Sequence, residues 1–147
     1  MMNANVNRIP TGPALLGYSG VLPFAALAIA ILLVDGAWQN LALSAFLAYG
    51  AVILSFLGGI RWGAAARADK PRNGEYVLAV LPSLWAFACL LAESSVVATW
   101  GLLAGFALMG FADWLRPAPG TAPWLVTLRL RLTAAVVLCH AIVLVTF

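Results

Sequence analysis

Residues 41–62 read LALSAFLAYGAVILSFLGGIRW: twenty residues without a charge, closed by Arg61 and Trp62. As a helix rising about 1.5 Å per residue, the uncharged part reaches about 30 Å, the thickness of the hydrocarbon core of a bilayer. The run is continuously apolar and does not alternate, which excludes the strands of a membrane β-barrel. A membrane-spanning helix is therefore predicted here, and it sets the terms for reading its neighbours.

Upstream, residues 13–34 are again uncharged and end at Asp35-Gly36. Their 22 residues exceed the roughly 7–15 of a secretory signal core, so a retained helix is predicted rather than a cleaved leader. Downstream, residues 67–74 are turn chemistry (Arg, Ala, Asp, Lys, Pro, Arg, Asn, Gly), and residues 75–92 form a third, shorter span. Glu93-Ser94-Ser95 makes a tight polar turn before a fourth span at 96–115, which Arg116-Pro117-Ala118-Pro119-Gly120 terminates. The fifth span is 124–146. The expected fold is all-α: a polytopic membrane protein in which residues 1–147 form one bundle of five transmembrane helices.

Composition agrees. Of 147 residues 64% are hydrophobic and 9% charged, with mean hydropathy +1.00. A soluble domain carries about 25% charged residues, so this chain cannot build a water-facing shell. The net charge of +3 does not point to nucleic acid, because the basic residues sit at span ends. Five spans put Arg8, Arg61, Arg67, Lys70, Arg72, Arg116, Arg129 and Arg131 on or toward one side, leaving Asp35 and Glu93 on the other. The positive-inside rule then predicts a cytoplasmic N-terminus and an external C-terminus. Trp38, Trp62, Trp100, Trp114 and Trp124 fall near span ends as interface anchors, while Trp85 falls near mid-membrane.

Small residues mark two candidate contact stripes: Ala51, Ser55, Gly59 and Gly63 on the second span, and Gly101 and Gly105 on the fourth. Pro23 and Pro82 predict kinks that free the carbonyls of Ser19 and Leu78.

Three segments, residues 16–24 (LGYSGVLPF), 49–63 (YGAVILSFLGGIRWG) and 81–85 (LPSLW), resemble the domain of unknown function 3429 family, in order and spacing over most of the chain. The Gly-Gly-Ile-Arg-Trp-Gly stretch is the most specific part. The resemblance implies a small multi-helix membrane protein of bacteria and, by its eukaryotic members, mitochondria. It supplies no activity, so no catalytic residue is carried over. About a dozen residues precede the first span, fewer than a transit peptide takes, so a bacterial inner membrane is the expected location.

Arg61 follows Gly58-Gly59 and is expected either to snorkel beside Trp62 or to bind a lipid phosphate or anionic ligand. Ser19, Ser55 and Ser83 lie at similar depth and, with Tyr49 and Trp85, predict a small ligand-binding cavity with Arg61 at its mouth. Asp113 is expected to form a structural ion pair with Arg129 or Arg131, of which only one can face it, since residues two apart lean to opposite sides of a helix. His140 is the only histidine, and Cys89 and Cys139 lie far apart in apolar runs. No metal, no cofactor and no catalytic set is expected. The predicted function is a non-enzymatic factor that binds a partner or serves the assembly or stability of a membrane complex, with the lipid bilayer and another membrane protein as partners. The alternative is a protein that binds or transports a small amphipathic ligand or lipid in a cytoplasm-facing pocket.

Overall fold

The computed structural model describes residues 8–70 and 72–147; Pro71 of the predicted turn lies outside them. Regular structure among these residues is helical: α1 Thr11–Ser19, α2 Leu22–Leu33, α3 Gly36–Ala66, α4 Asn73–Leu90, α5 Ser95–Leu115 and α6 Pro123–Leu144. Helices α1 and α2 share the first apolar segment, so the described residues contain five segments long and apolar enough to cross a membrane. The protein is a membrane protein built as a helical bundle.

The largest departure from the predicted boundaries is α3. It runs 31 residues, beginning beside Asp35 and continuing past Trp62 to Ala66. At about 1.5 Å per residue it reaches about 46 Å, well beyond the hydrocarbon core, so it tilts or extends into the headgroups. Its length gives it contacts with α2, α4 and α5, and α6 completes the bundle against α5, α2 and α1. Near its start, the Gln39 Nε2 donates to the Ile31 carbonyl at 3.0 Å, satisfying an orphan acceptor in the last turn of α2.

Pro23 does more than bend its span. The helix stops at Ser19 and restarts at Leu22, which leaves Pro23 in the first turn of α2, where a missing N–H costs nothing. At the break, the Tyr49 hydroxyl reaches across from α3 and donates to the Gly20 carbonyl at 2.9 Å. Pro82 by contrast is carried inside a continuous α4.

The core holds Phe24, Phe46 and Phe106, with Phe24 edge-on to the other two at 5.5 and 5.9 Å between centroids. Large apolar side chains such as Leu33, Val52, Leu84 and Leu108 are exposed, as expected where the surrounding solvent is lipid.

The stripe predicted on α3 holds at Ala51, which is buried in the core, and at half-buried Ser55, but not at its far end. Gly59 and Gly63 are exposed, and a Cβ on either would meet nothing within 4 Å. The residue in close contact is Gly58, whose missing Cβ lets the Ala79 carbonyl of α4 press against the backbone of α3. On α5, Gly101 receives the Cys89 sulfur and Gly105 receives Leu54 and Trp85, as small residues at a helix contact should.

Candidate functional site

At the end of the bundle where α3 and α5 finish and α4 and α6 begin, four charged side chains are buried together. Arg61 is 1% exposed, Asp113 4%, Glu75 6% and Arg129 7%. Arg61 sits at the centre. Its Nη1 donates to Asp113 Oδ1 at 2.9 Å, and its Nη2 donates to Glu75 Oε2 at 3.2 Å and to the Arg116 carbonyl at 3.1 Å. Arg129 takes the other Asp113 oxygen: its Nε donates to Oδ2 at 2.7 Å, and its Nη2 lies 2.7 Å from the same atom but out of line for a hydrogen bond. Exposed Arg72 donates to Glu75 Oε1 at 2.9 Å.

Each helix places its charge for a local reason. Glu75 occupies the first turn of α4, where the helix dipole favours an anion. The Arg116 carbonyl is at the end of α5 and has no partner within its helix, so a guanidinium satisfies it. Asp113 stands one turn earlier on α5, between two arginines supplied by α3 and α6. The two buried guanidinium groups and two buried carboxylates balance, which is the condition for keeping charges away from water. The cluster ties α3, α4, α5 and α6 at one end.

These distances decide which arginine meets Asp113. Arg129 does, whereas Arg131 is exposed on the opposite-leaning side of α6. The expectation for Arg61 needs correction. It neither snorkels outward nor stands at the mouth of a serine-lined cavity, because Asp113 and Glu75 draw it inward. Glu75 was not foreseen in this role. Its signal in the sequence was the lone carboxylate opening a span, close behind an arginine that ends one.

The serine cavity is also corrected. Ser19 is exposed and donates to the Leu16 carbonyl at 2.8 Å, and Ser55 donates to the Ala51 carbonyl at 2.8 Å, each within its own segment. A hydroxyl surrounded by lipid or apolar side chains finds its nearest acceptor one turn back, so depth alone does not bring serines together. Ser83 is half-buried on α4. Tyr49 packs on Phe24 at 4.9 Å and plugs the α1–α2 break, while Trp85 donates to the Gly101 carbonyl at 2.7 Å across the α4–α5 contact. The two aromatics serve different interfaces.

His140 is fully buried among Phe24, Phe46 and Phe106, with ring centroids at 5.7, 4.7 and 5.4 Å. Its Nδ1 is 2.9 Å from the Val136 carbonyl, which makes Nδ1 the donor and leaves Nε2 a buried acceptor without a partner among the described residues. Cys89 and Cys139 are free and buried.

Residues 9–145 match the family described as protein of unknown function (DUF3429). The chain belongs to that family. This DUF3429 member is also 35% identical over 134 residues to transmembrane protein 69 of Xenopus tropicalis, an alignment covering 85% of this chain and 51% of the relative. The chain thus spans about half the length of that curated relative. No solved structure matches. Nearly the whole described bundle, including Arg61, Glu75, Asp113 and Arg129, lies within the family match.

Two open spaces flank the charge cluster. One is an apolar groove of about 430 Å³ between α4 and α5, walled by Leu81, Leu84, Trp85 and Ala88 on one side and Gly105 and Leu108 on the other. The second is a groove of about 780 Å³ between the end of α3 and the α5–α6 loop, where Arg67, Thr121 and Trp124 line a mixed surface.

Proposed function

We propose that this DUF3429 member is a non-catalytic membrane protein that receives a transmembrane helix of a partner and so serves the assembly or stability of a membrane complex. The observation that carries this reading is the α4–α5 groove. It extends from Leu78 to Ala88 on α4, about 15 Å of helix, and its walls are apolar. Ala88 and Ala112 line it, and small residues are what allow a second helix to approach closely within lipid. The charge cluster supports the reading from behind, because it fixes α4 and α5 to α3 at the end toward which the groove runs.

Photo-cross-linking tests it. A benzoylphenylalanine at Leu84 or Leu108 is expected to give one discrete protein adduct in native membranes, and one at Ile29 on the lipid-facing side of α2 none. Phospholipid adducts alone at all three positions would overturn the reading.

For orientation we propose that the end bearing Arg61, Arg67, Lys70, Arg72 and Arg116 is cytoplasmic in a bacterial inner membrane, with the N-terminus inside and the C-terminus in the periplasm. The support is the one-sided distribution of basic residues. Alkaline phosphatase fused after Phe147 is expected to be active, and green fluorescent protein at the same position dark. An inactive phosphatase fusion in a well-inserted protein reverses the assignment.

A second reading is favoured by the groove beside the α5–α6 loop. At about 780 Å³, with Arg67 and Trp124 in its lining, it is large enough for a small amphipathic molecule or a lipid headgroup and would open to the cytoplasm in this orientation.

A further inference from the structure

Arg61 and Arg129 are both more than nine-tenths buried, yet among the described residues Arg61 Nε and Arg129 Nη1 have no acceptor, and Arg129 Nη2 meets Asp113 Oδ2 as an ion pair without an aligned hydrogen bond. A buried charged donor without a partner is costly, and it is uncommon enough in folded proteins to call for an explanation. Both residues line one small cavity together with Asp113, whose two oxygens they already engage, and with apolar neighbours that include Ile60, Ala118 and Leu125 beside Thr121. Its volume is about 10 Å³, room for a single water molecule or one oxygen atom of a larger group. Ile60, Thr121 and Leu125 line this cavity and also the 780 Å³ groove, so the two spaces share a wall.

The charge around it selects the sign of what enters. Glu75 and Asp113 are already engaged by arginines, and seven basic residues from Arg61 to Arg131 stand at this end against Asp69, Glu75 and Asp113. Arginine guanidinium groups match phosphate oxygens in geometry as well as charge. Trp124 and Leu125, in the groove, offer apolar surface to the remainder of such a molecule.

We propose that the cavity takes one oxygen of a phosphate group whose body lies in the adjoining groove, with Arg129 and Arg61 donating to that oxygen and Arg67 facing the remaining charge. The inference rests on the ligand reading of the groove and names its chemistry. The phosphate can come from a lipid headgroup or from a free phosphate compound, and the two sources share this recognition.

The test uses the full chain, purified and delipidated in detergent, with binding read as the rise in unfolding temperature on titration. The probes are dihexanoyl phosphatidic acid, dihexanoylglycerol and inorganic phosphate. Dihexanoyl phosphatidic acid is expected to bind at least about tenfold more tightly than dihexanoylglycerol, as one added charge-assisted contact would give. Inorganic phosphate binding as well as the lipid assigns a free-phosphate source, and binding of the lipid alone assigns a headgroup; either supports the inference. Thr121→Leu, which enlarges a side chain of the shared wall without touching the charge cluster, and Arg67→Gln, at an exposed position, should each weaken phosphatidic acid binding about tenfold while leaving the ligand-free unfolding temperature unchanged. Equal binding of dihexanoylglycerol and phosphatidic acid keeps a ligand in the groove but overturns the phosphate site. So does undiminished binding by both variants. No binding of any probe overturns the ligand reading together with the inference.

Discussion

Asp113→Asn is expected to destabilise the bundle by about 3–5 kcal/mol, the cost of removing one partner from a buried ion pair. The carboxylate is shared by Arg61 and Arg129, so its loss leaves Arg61 with Glu75 and removes the acid that Arg129 pairs with. The side chain of asparagine has nearly the same shape, so the loss reports charge and not packing. Arg129→Gln alone leaves Asp113 paired with Arg61 and should cost less. In the double variant the surviving Arg61 and Glu75 balance one another, and the combined loss should fall short of the sum by about 1–3 kcal/mol. Arg131→Gln, on an exposed residue, should couple to Asp113→Asn by no more than about 0.5 kcal/mol. Reversible unfolding in mixed micelles measures the three single variants and the two doubles. Additive losses for Asp113 and Arg129 would show that the pair contributes nothing.

Adjacent glycines provide the second large contrast. A methyl group at Gly58 would fall on the Ala79 carbonyl oxygen and touch Pro82 Cβ at 3.5 Å. The obstacle is backbone, so α3 and α4 must separate along their contact, and Gly58→Ala is expected to cost about 3 kcal/mol, the upper range for overpacking. At Gly59 the same methyl meets nothing, and alanine is the better helix former by about 1 kcal/mol, so Gly59→Ala should be neutral or slightly stabilising. The same unfolding measurement decides between them. Equal effects at the two positions would mean that the α3–α4 approach is not as close as described.

The five apolar segments could be read residue by residue because a bilayer acts on each segment separately. It asks for about twenty apolar residues, satisfied backbone bonds and anchors at the ends, and residues 13–34 or 96–115 meet those terms without reference to any other part of the chain. Even the choice between Arg129 and Arg131 was half made, since helix geometry lets one of them face Asp113 and turns the other away.

Which face of each helix turns inward is a different kind of fact. In a soluble helix the polar side identifies the solvent, but in α3 the lipid-facing side is as apolar as the core-facing side, so hydropathy carries no azimuth. For this reason the sequence could not distinguish Gly58 from Gly59, and the predicted stripe turns inward at Ala51 but outward at Gly59 and Gly63. The serines misled similarly: depth placed them level with one another, while the hydroxyls of Ser19 and Ser55 were already satisfied by Leu16 and Ala51. Arg61 next to Trp62 reads locally as an interface residue. Glu75, 14 positions on, and Asp113, 52 positions on, make it a buried one. A charge at a membrane boundary can reach either headgroups or a countercharge, and that choice is made only when α4, α5 and α6 bring their own charges to the same place.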